Sequence, residues 1–312
     1  MTTTPVLTEF AADLGFPEGP VMLPDGAMLV VEIARGCITR LDTGGRKTVV
    51  ATPGGGPNGA AFGSDGLLYV CNSGGFSWNT EGGRLVPSGK AADYSGGRIE
   101  RVDIDSGKVE VLYTSCNGFP LKGPNDIVFD RQGGFYFTDH GKRRRREVDL
   151  GGLYYAKTDG SLIRELVQPM IMPNGVGLSP GEDKVYVAET RTGHLWGFDI
   201  LSPGVIRQQP PHENGGHHLA GPVGFTSYDS LAVELDGNIC VASLVLGGVN
   251  VMAPDGAFVE FVPMPDPIRT NICFGGPDLS TAYITLSSTG RMVSKPWPRP
   301  GLRLNFDPCA SA

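Results

Sequence analysis

Several features are missing from these 312 residues, and each absence removes a class of protein. No stretch shows sustained helical periodicity, which excludes helical bundles and coiled coils. Nowhere do about 18 apolar residues run together, so no membrane-spanning helix is expected and no membrane partner follows. The start, MTTTPVLTEFAADLGF, has neither a basic n-region nor a continuous apolar h-region, and a soluble cytoplasmic protein is the expectation. Charge is sparse at 19%, with a formal net charge of -7. That balance argues against nucleic acid as a partner, because phosphate neutralisation needs a surplus of Lys and Arg. The six cysteines form no CxxC pair, which removes zinc-ribbon and dithiol readings. Cys71, Cys240 and Cys273 fall in apolar strand patterns and read as reduced core thiols. No GxSxG elbow is present, against a serine esterase. Gly54, Gly56 and Gly59 satisfy GxGxxG but precede a strand instead of joining strand to helix, so no dinucleotide site follows.

What is abundant is glycine, 46 residues, with 25 prolines, the composition of many short strands joined by tight turns. Six segments repeat one pattern: a polar residue opens an apolar strand, the chain turns at Gly or an acidic pair, and a second apolar strand returns. They begin FPEGPVMLPDG, PNGAAFGSDG, PNDIVFDRQGG, PNGVGLSPGED, YDSLAVELDG and TNICFGGPDL. Aligned on the turn, they put Glu18, Asn58, Asn125, Asn174, Asp229 and Asn271 in one equivalent position. The spacings are 40, 67, 49, 55 and 42 residues, and the shorter ones match a four-stranded propeller blade. The expectation is one all-β domain over residues 1–312, a six-bladed β-propeller with a central metal site. Its last blade would be closed by an N-terminal strand near Val6 to Ala11, which removes an exposed edge. Insertions at Gly74 to Gly97, Ser115 to Gly123, Gly141 to Leu150 and Ser202 to Tyr228 would border the mouth carrying the ring residues.

Six like units closing on an axis turn six oxygen-bearing side chains toward one centre. Oxygen-only ligand sets suit hard cations, and one divalent ion is expected, with calcium, zinc, magnesium and manganese all open to such oxygens. Glu18, Asn125, Asn174 and Asp229 are the expected ligands. Four protein oxygens are too few for the six to eight of calcium, which leaves room for water or substrate. Asn58 and Asn271 are expected to line the channel. Around the mouth, the ends of second strands offer Asn72, Asp139, His140 and Glu189 as substrate contacts. The run Lys142 to Arg146 reads as a solvated loop or an attractor of anions. Trp78 and Tyr94 lie in the longest insertion and either cover an apolar ligand or serve the packing of that insertion upon itself. His212, His217 and His218 lack zincin spacing.

With these motifs in place, the chain resembles the gluconolactonase/regucalcin family of six-bladed propellers, which also includes diisopropyl fluorophosphatase. The resemblance runs from FPEGP through GPNDIVFDRQGGFYFTD and MPNGVGLSP to YDSLAVELDGNICVAS. It implies that Glu18, Asn174 and Asp229 are metal ligands and that Asn125 is a fourth ligand or a substrate contact. It also implies a divalent ion, often calcium, and hydrolysis of lactones or organophosphates. One departure is Gly123, where the regucalcin branch carries an Arg that contacts a sugar ring. Lactone opening is the leading expectation, with a small-molecule lactone or related ester as substrate and Asp229 as candidate base. A phosphotriester hydrolase and a non-catalytic calcium-binding propeller are the alternatives.

Overall fold

The computed structural model describes residues 7–221 and 226–311. Within them, strands of two to eight residues assemble into six antiparallel blades around a common axis. The six-bladed all-β propeller expected from the repeat is what the chain forms. The inner strands are Pro17–Met22, Pro57–Phe62, Pro124–Phe129, Pro173–Leu178, Ser227–Val233 and Arg269–Gly275. In the fourth blade the outer edge is divided between two short strands, Val205–Ile206 and His217–Ala220, both pairing with Leu195–Ser202. In the sixth, Thr8–Ala11 supplies the outer strand beside Arg291–Pro296; Val6 lies outside the described residues. The first and last blades are joined by Leu14 N–H donating to the Gly290 carbonyl at 2.9 Å and the Ser287 hydroxyl donating to the Pro17 carbonyl at 2.6 Å.

Alternating apolar side chains fill the wedges between blades. Leu29, Val31 and Ile38 of the first blade meet Leu68 and Val70 of the second. Aromatics dominate the next wedge, where Phe137 stacks on Tyr154 at 5.1 Å and Tyr69 meets Phe129 edge-on at 5.2 Å. All six cysteines are free; Cys71 and Cys240 are fully buried, whereas Cys273 is only partly so.

One backbone irregularity recurs in every blade. The pairing of inner and second strands breaks register between Glu18 and Val21, Pro57 and Ala60, Pro124 and Ile127, Pro173 and Val176, Tyr228 and Leu231, and Arg269 and Asn271. A bulge leaves a residue unpaired and re-aims its side chain. In five blades the bulge falls at the expected ring residue; in the sixth it falls at Thr270, so Asn271, paired with Thr285, is a correction to the expected ring and stands one step beyond it, in the position that Asp126 holds in the third blade.

Crowding at the hub explains the glycine that follows three of the ring residues. A Cβ on Gly19 would stand 2.5 Å from the Asn58 carbonyl oxygen, and one on Gly59 2.6 Å from that of Asn125. Neighbouring inner strands can approach this closely only without a side chain there.

Candidate functional site

Glu18, Asn58, Asn125, Asn174 and Asp229 line the floor of one open cavity of about 610 Å³ on the axis. All five side chains are otherwise buried. Glu18 is fixed from below: Asn271 Nδ2 donates to its Oε2 at 2.7 Å, and Gly19 N–H donates to the same oxygen at 2.9 Å. Asn174 is oriented by Nδ2 donating to Thr190 Oγ1 at 3.1 Å, and its Oδ1 accepts from Ser230 Oγ at 3.5 Å. Asn125 Oδ1 is buried and has no hydrogen-bond partner. Such an orphan costs the desolvation of its lone pairs unless something outside the protein's own donors meets it.

The electrostatics point the same way. Burial raises the pKa of Glu18, partly offset by Thr270, Asn271 and the Gly19 amide. Burial, and then the charge of Glu18, hold Asp229 well above the usual carboxylate range. A third carboxyl, Asp126, is pushed up to about 7 by burial and by Glu18. Acids crowded in a dry hub resist ionising together, and a cation among them relieves both causes. Among the described residues, no three His, Cys, Asp or Glu side chains are grouped to hold a metal ion. A cation at the hub would therefore depend on amide oxygens beside its two carboxylates, and oxygen-only sets of this kind fit hard ions.

The remaining expected contacts divide. His140 lines the cavity, and burial together with Lys142 drives its pKa down to about 4, so its imidazole is neutral. Asn271 serves Glu18 and itself borders a second cavity of about 260 Å³ at the opposite end of the axis. Asn72, Asp139 and Glu189 are corrections: they do not line the hub cavity, because their polar atoms are spent bracing loops. Asn72 accepts from Gly56 N–H at 2.9 Å and Gly74 N–H at 3.0 Å, and donates to the Gly54 carbonyl and Glu100, each at 2.9 Å. Asp139 accepts from the backbone of Lys122 and Gly123 at 2.7 Å and Gly141 at 2.9 Å. Glu189 accepts from Ile171 N–H and Thr192 Oγ1, each at 2.7 Å.

Of the four insertions, the first and third contribute to the upper wall, through the hairpin Phe76–Glu81/Arg84–Lys90 and through Gly141 and Arg143. Ser115 to Gly123 does not line the cavity, and from the described part of Ser202 to Tyr228 only Ser227 does. The basic run is not uniform either. Lys142 is 2% exposed, its Nζ donating to the Gly75 carbonyl at 3.1 Å and lying 3.7 Å from the centre of the Phe76 ring. Arg144 pairs with Glu147 and Asp149.

Two residues escaped the sequence reading. Asp126 follows a ring residue and was hidden by it. Arg269 opens the sixth inner strand, is fully buried, and none of its guanidinium nitrogens has a hydrogen-bond partner. Burial lowers its pKa to about 10, offset in part by the charge of Asp266 and then of Asp229.

A propeller whose six bulged inner strands gather acids and amides beneath one open cavity is a recognisable kind of molecule. The chain belongs to the SMP-30/gluconolactonase/LRE-like family, whose model matches residues 16–288. It is 29% identical to the lactonase drp35 of Staphylococcus saprophyticus over 255 residues, covering 80% of this chain and 69% of that protein. Against the gluconolactonase of Zymomonas mobilis the identity is 26% over 294 residues, covering 85% and 74%. A gluconolactonase structure from Xanthomonas campestris superposes with a TM-score of 0.73 at 21% identity, covering 94% of this chain and 89% of that one. The calcium-binding protein regucalcin from Agrobacterium tumefaciens gives 0.66 at 18%, covering 96% and 100%. Among the described residues no helix is long and apolar enough to cross a membrane.

Proposed function

We propose that this chain is a divalent-cation-dependent lactonase, with Glu18, Asn125, Asn174 and Asp229 holding the ion. The observation that carries the reading is the buried, unpartnered Asn125 Oδ1 beside two mutually repelling carboxylates at the floor of an open cavity. Membership of a family with lactonase and gluconolactonase relatives supports the reaction class. A bound cation would supply polarisation of the lactone carbonyl and charge stabilisation of the developing oxyanion.

The protein's own groups divide the remaining tasks. Glu18 is tied by Asn271 and Gly19 and is suited to holding. Asp229 is the proposed general base, taking a proton from the attacking water and returning it to the ring oxygen as the acyl C–O bond breaks. Water adds across the ester, so the product is a hydroxy acid. His140, neutral above about pH 4, accepts a hydrogen bond without contributing charge.

The test is a lactone and phosphotriester panel assayed with calcium, manganese, magnesium or zinc and with a chelator. Lactone turnover that the chelator abolishes is the expected result. Turnover on phosphotriesters alone, or lactone turnover indifferent to chelation, would overturn the proposal.

A further inference from the structure

The wall above the hub carries information about the substrate that the ring does not. We propose that the site takes a lactone with an apolar alkyl or aryl body bearing a carboxylate, in preference to a polyhydroxylated sugar lactone; this rests on the hydrolytic reading above.

One side of the cavity is an aromatic wall. Trp78, on the inserted hairpin, packs 4.9 Å from Phe16 and 6.1 Å from Phe76, and all three line the cavity. Met172, Leu244, Val245 and Ile268 add further apolar lining. The wall is held rigidly. Lys142 fastens Gly75 and lies against Phe76, while Lys90 N–H donates to the Arg143 carbonyl at 3.0 Å. Phe16 and Met172 occupy the slot before an inner-strand proline with φ of 58° and 55°, a left-handed conformation that bulky residues rarely adopt. Apolar side chains are thus placed over the first and fourth blades against local backbone preference, as strain retained at functional sites is.

A sugar lactone would bring several hydroxyls, each needing a partner once desolvated. Three hydroxyls line this cavity, those of Thr190, Ser227 and Thr270, and the first and last are committed. Thr190 accepts from Asn174, and Thr270 is bonded to Thr285 at 3.1 Å and Ser287 at 2.5 Å. An alkyl or aryl body has no such demand and gains from the aromatic contact.

Cations mark the rim. Arg84, Arg143 and Arg191 line the cavity, are exposed, and take no part in the ion pairs of the described residues. Above the floor, Glu81 is the one acid lining it among those residues. In a chain of net charge -7, three uncommitted guanidinium groups at one mouth fit a carboxylate, which they can bind in bidentate fashion.

The experiment compares kcat/KM of the cation-loaded protein on three lactones of one ring size: an aldonolactone, a neutral aryl lactone, and that aryl lactone with a carboxylate. Calorimetry with the matching non-hydrolysable lactams gives binding independently of turnover. Efficiency should rise in that order by at least about tenfold per step, the range that one well-used group contributes to discrimination. Trp78→Ala should lower kcat/KM on both aryl substrates by about tenfold and spare the aldonolactone. The combined Arg84→Gln, Arg143→Gln and Arg191→Gln variant should erase the carboxylate preference while leaving the neutral aryl lactone unaffected. An aldonolactone that equals or exceeds the aryl substrates, or a carboxylate that brings no gain, overturns the inference and leaves the lactonase reading standing. Lactams bound in the expected order with no lactone turned over would overturn the hydrolytic reading alone, and lactams that do not bind would overturn the inference.

Discussion

Asn271 Nδ2 donates to Glu18 Oε2 at 2.7 Å, joining residues 253 positions apart at the seam where the last blade meets the first. The bond turns closure of the ring into a feature of the site: the carboxylate proposed to hold the ion is oriented only if the propeller is shut. Partners of this kind, one step behind a ligand, tune affinity more than they contribute chemistry. Asn271→Leu is accordingly expected to weaken cation binding by roughly 10–100-fold, with kcat recovered at saturating ion. A calorimetric titration of both proteins, followed by turnover across cation concentration, checks this; unchanged affinity would show that Glu18 needs no such support.

Asp229 and Glu18 differ in their proposed tasks, and the amide variants separate them. Asp229→Asn removes the base and is expected to reduce kcat by at least about 100-fold even at saturating cation. Glu18→Gln should also abolish most activity, with loss of ion affinity as the cause. Both should stay folded, and the cation-free proteins should melt above wild type, because each replaces a buried, like-charge-crowded acid by a neutral isostere. Thermal melts in chelator read that sign directly, and a fall in melting temperature would argue against crowding as the source of the raised pKa values.

Lys142 makes a pH-dependent prediction. Burial lowers its pKa to about 7 from the ordinary 10.5. Between these values the unfolded chain holds a proton that the folded chain has released, so this group makes stability rise with pH across that window and imposes its full cost below it. Relative to wild type, Lys142→Met should therefore gain most near pH 6.5 and lose that advantage toward pH 10, a change of roughly 4 kcal/mol. Denaturant unfolding of both proteins at several pH values measures it; a difference independent of pH would show that the ammonium is not desolvated as its surroundings imply.

Gly59 tests the crowding at the axis. A Cβ there meets the Asn125 carbonyl and the Asp126 backbone, each at 2.6 Å, and neither is the movable end of a side chain. Gly59→Ala should cost about 1–3 kcal/mol and displace Asn125 enough to weaken cation binding. Equal stability and affinity in the variant would mean that the hub yields more readily than this packing suggests.

The repeat made much of this legible in the sequence. The repeated polar opening revealed the blade count and five of the six ring positions, because a period of this length needs neighbours to bury its faces; in the sixth blade the alignment was one residue off, at Asn271 instead of Thr270. The bulges at Glu18, Asn125, Asn174 and their equivalents were not legible, since a register break leaves no residue signature beyond the polar position itself. Asn72, Asp139 and Glu189 misled for a physical reason: polar residues at strand ends serve loops as readily as ligands, and only the direction of the side chain tells which. Lys142 was concealed in a basic run whose neighbours are exposed, and Arg269 by lying one position outside the aligned segment.

The central claim is that acids and amides from four different blades share one cation. Crystals soaked in manganese and measured for anomalous scattering test it most directly. A single strong peak at the hub is expected, bordered by oxygens of Glu18, Asn125, Asn174 and Asp229, with a coordination position open to the cavity. A hub without a peak while manganese binds elsewhere, or an ion fully enclosed by protein, would contradict it.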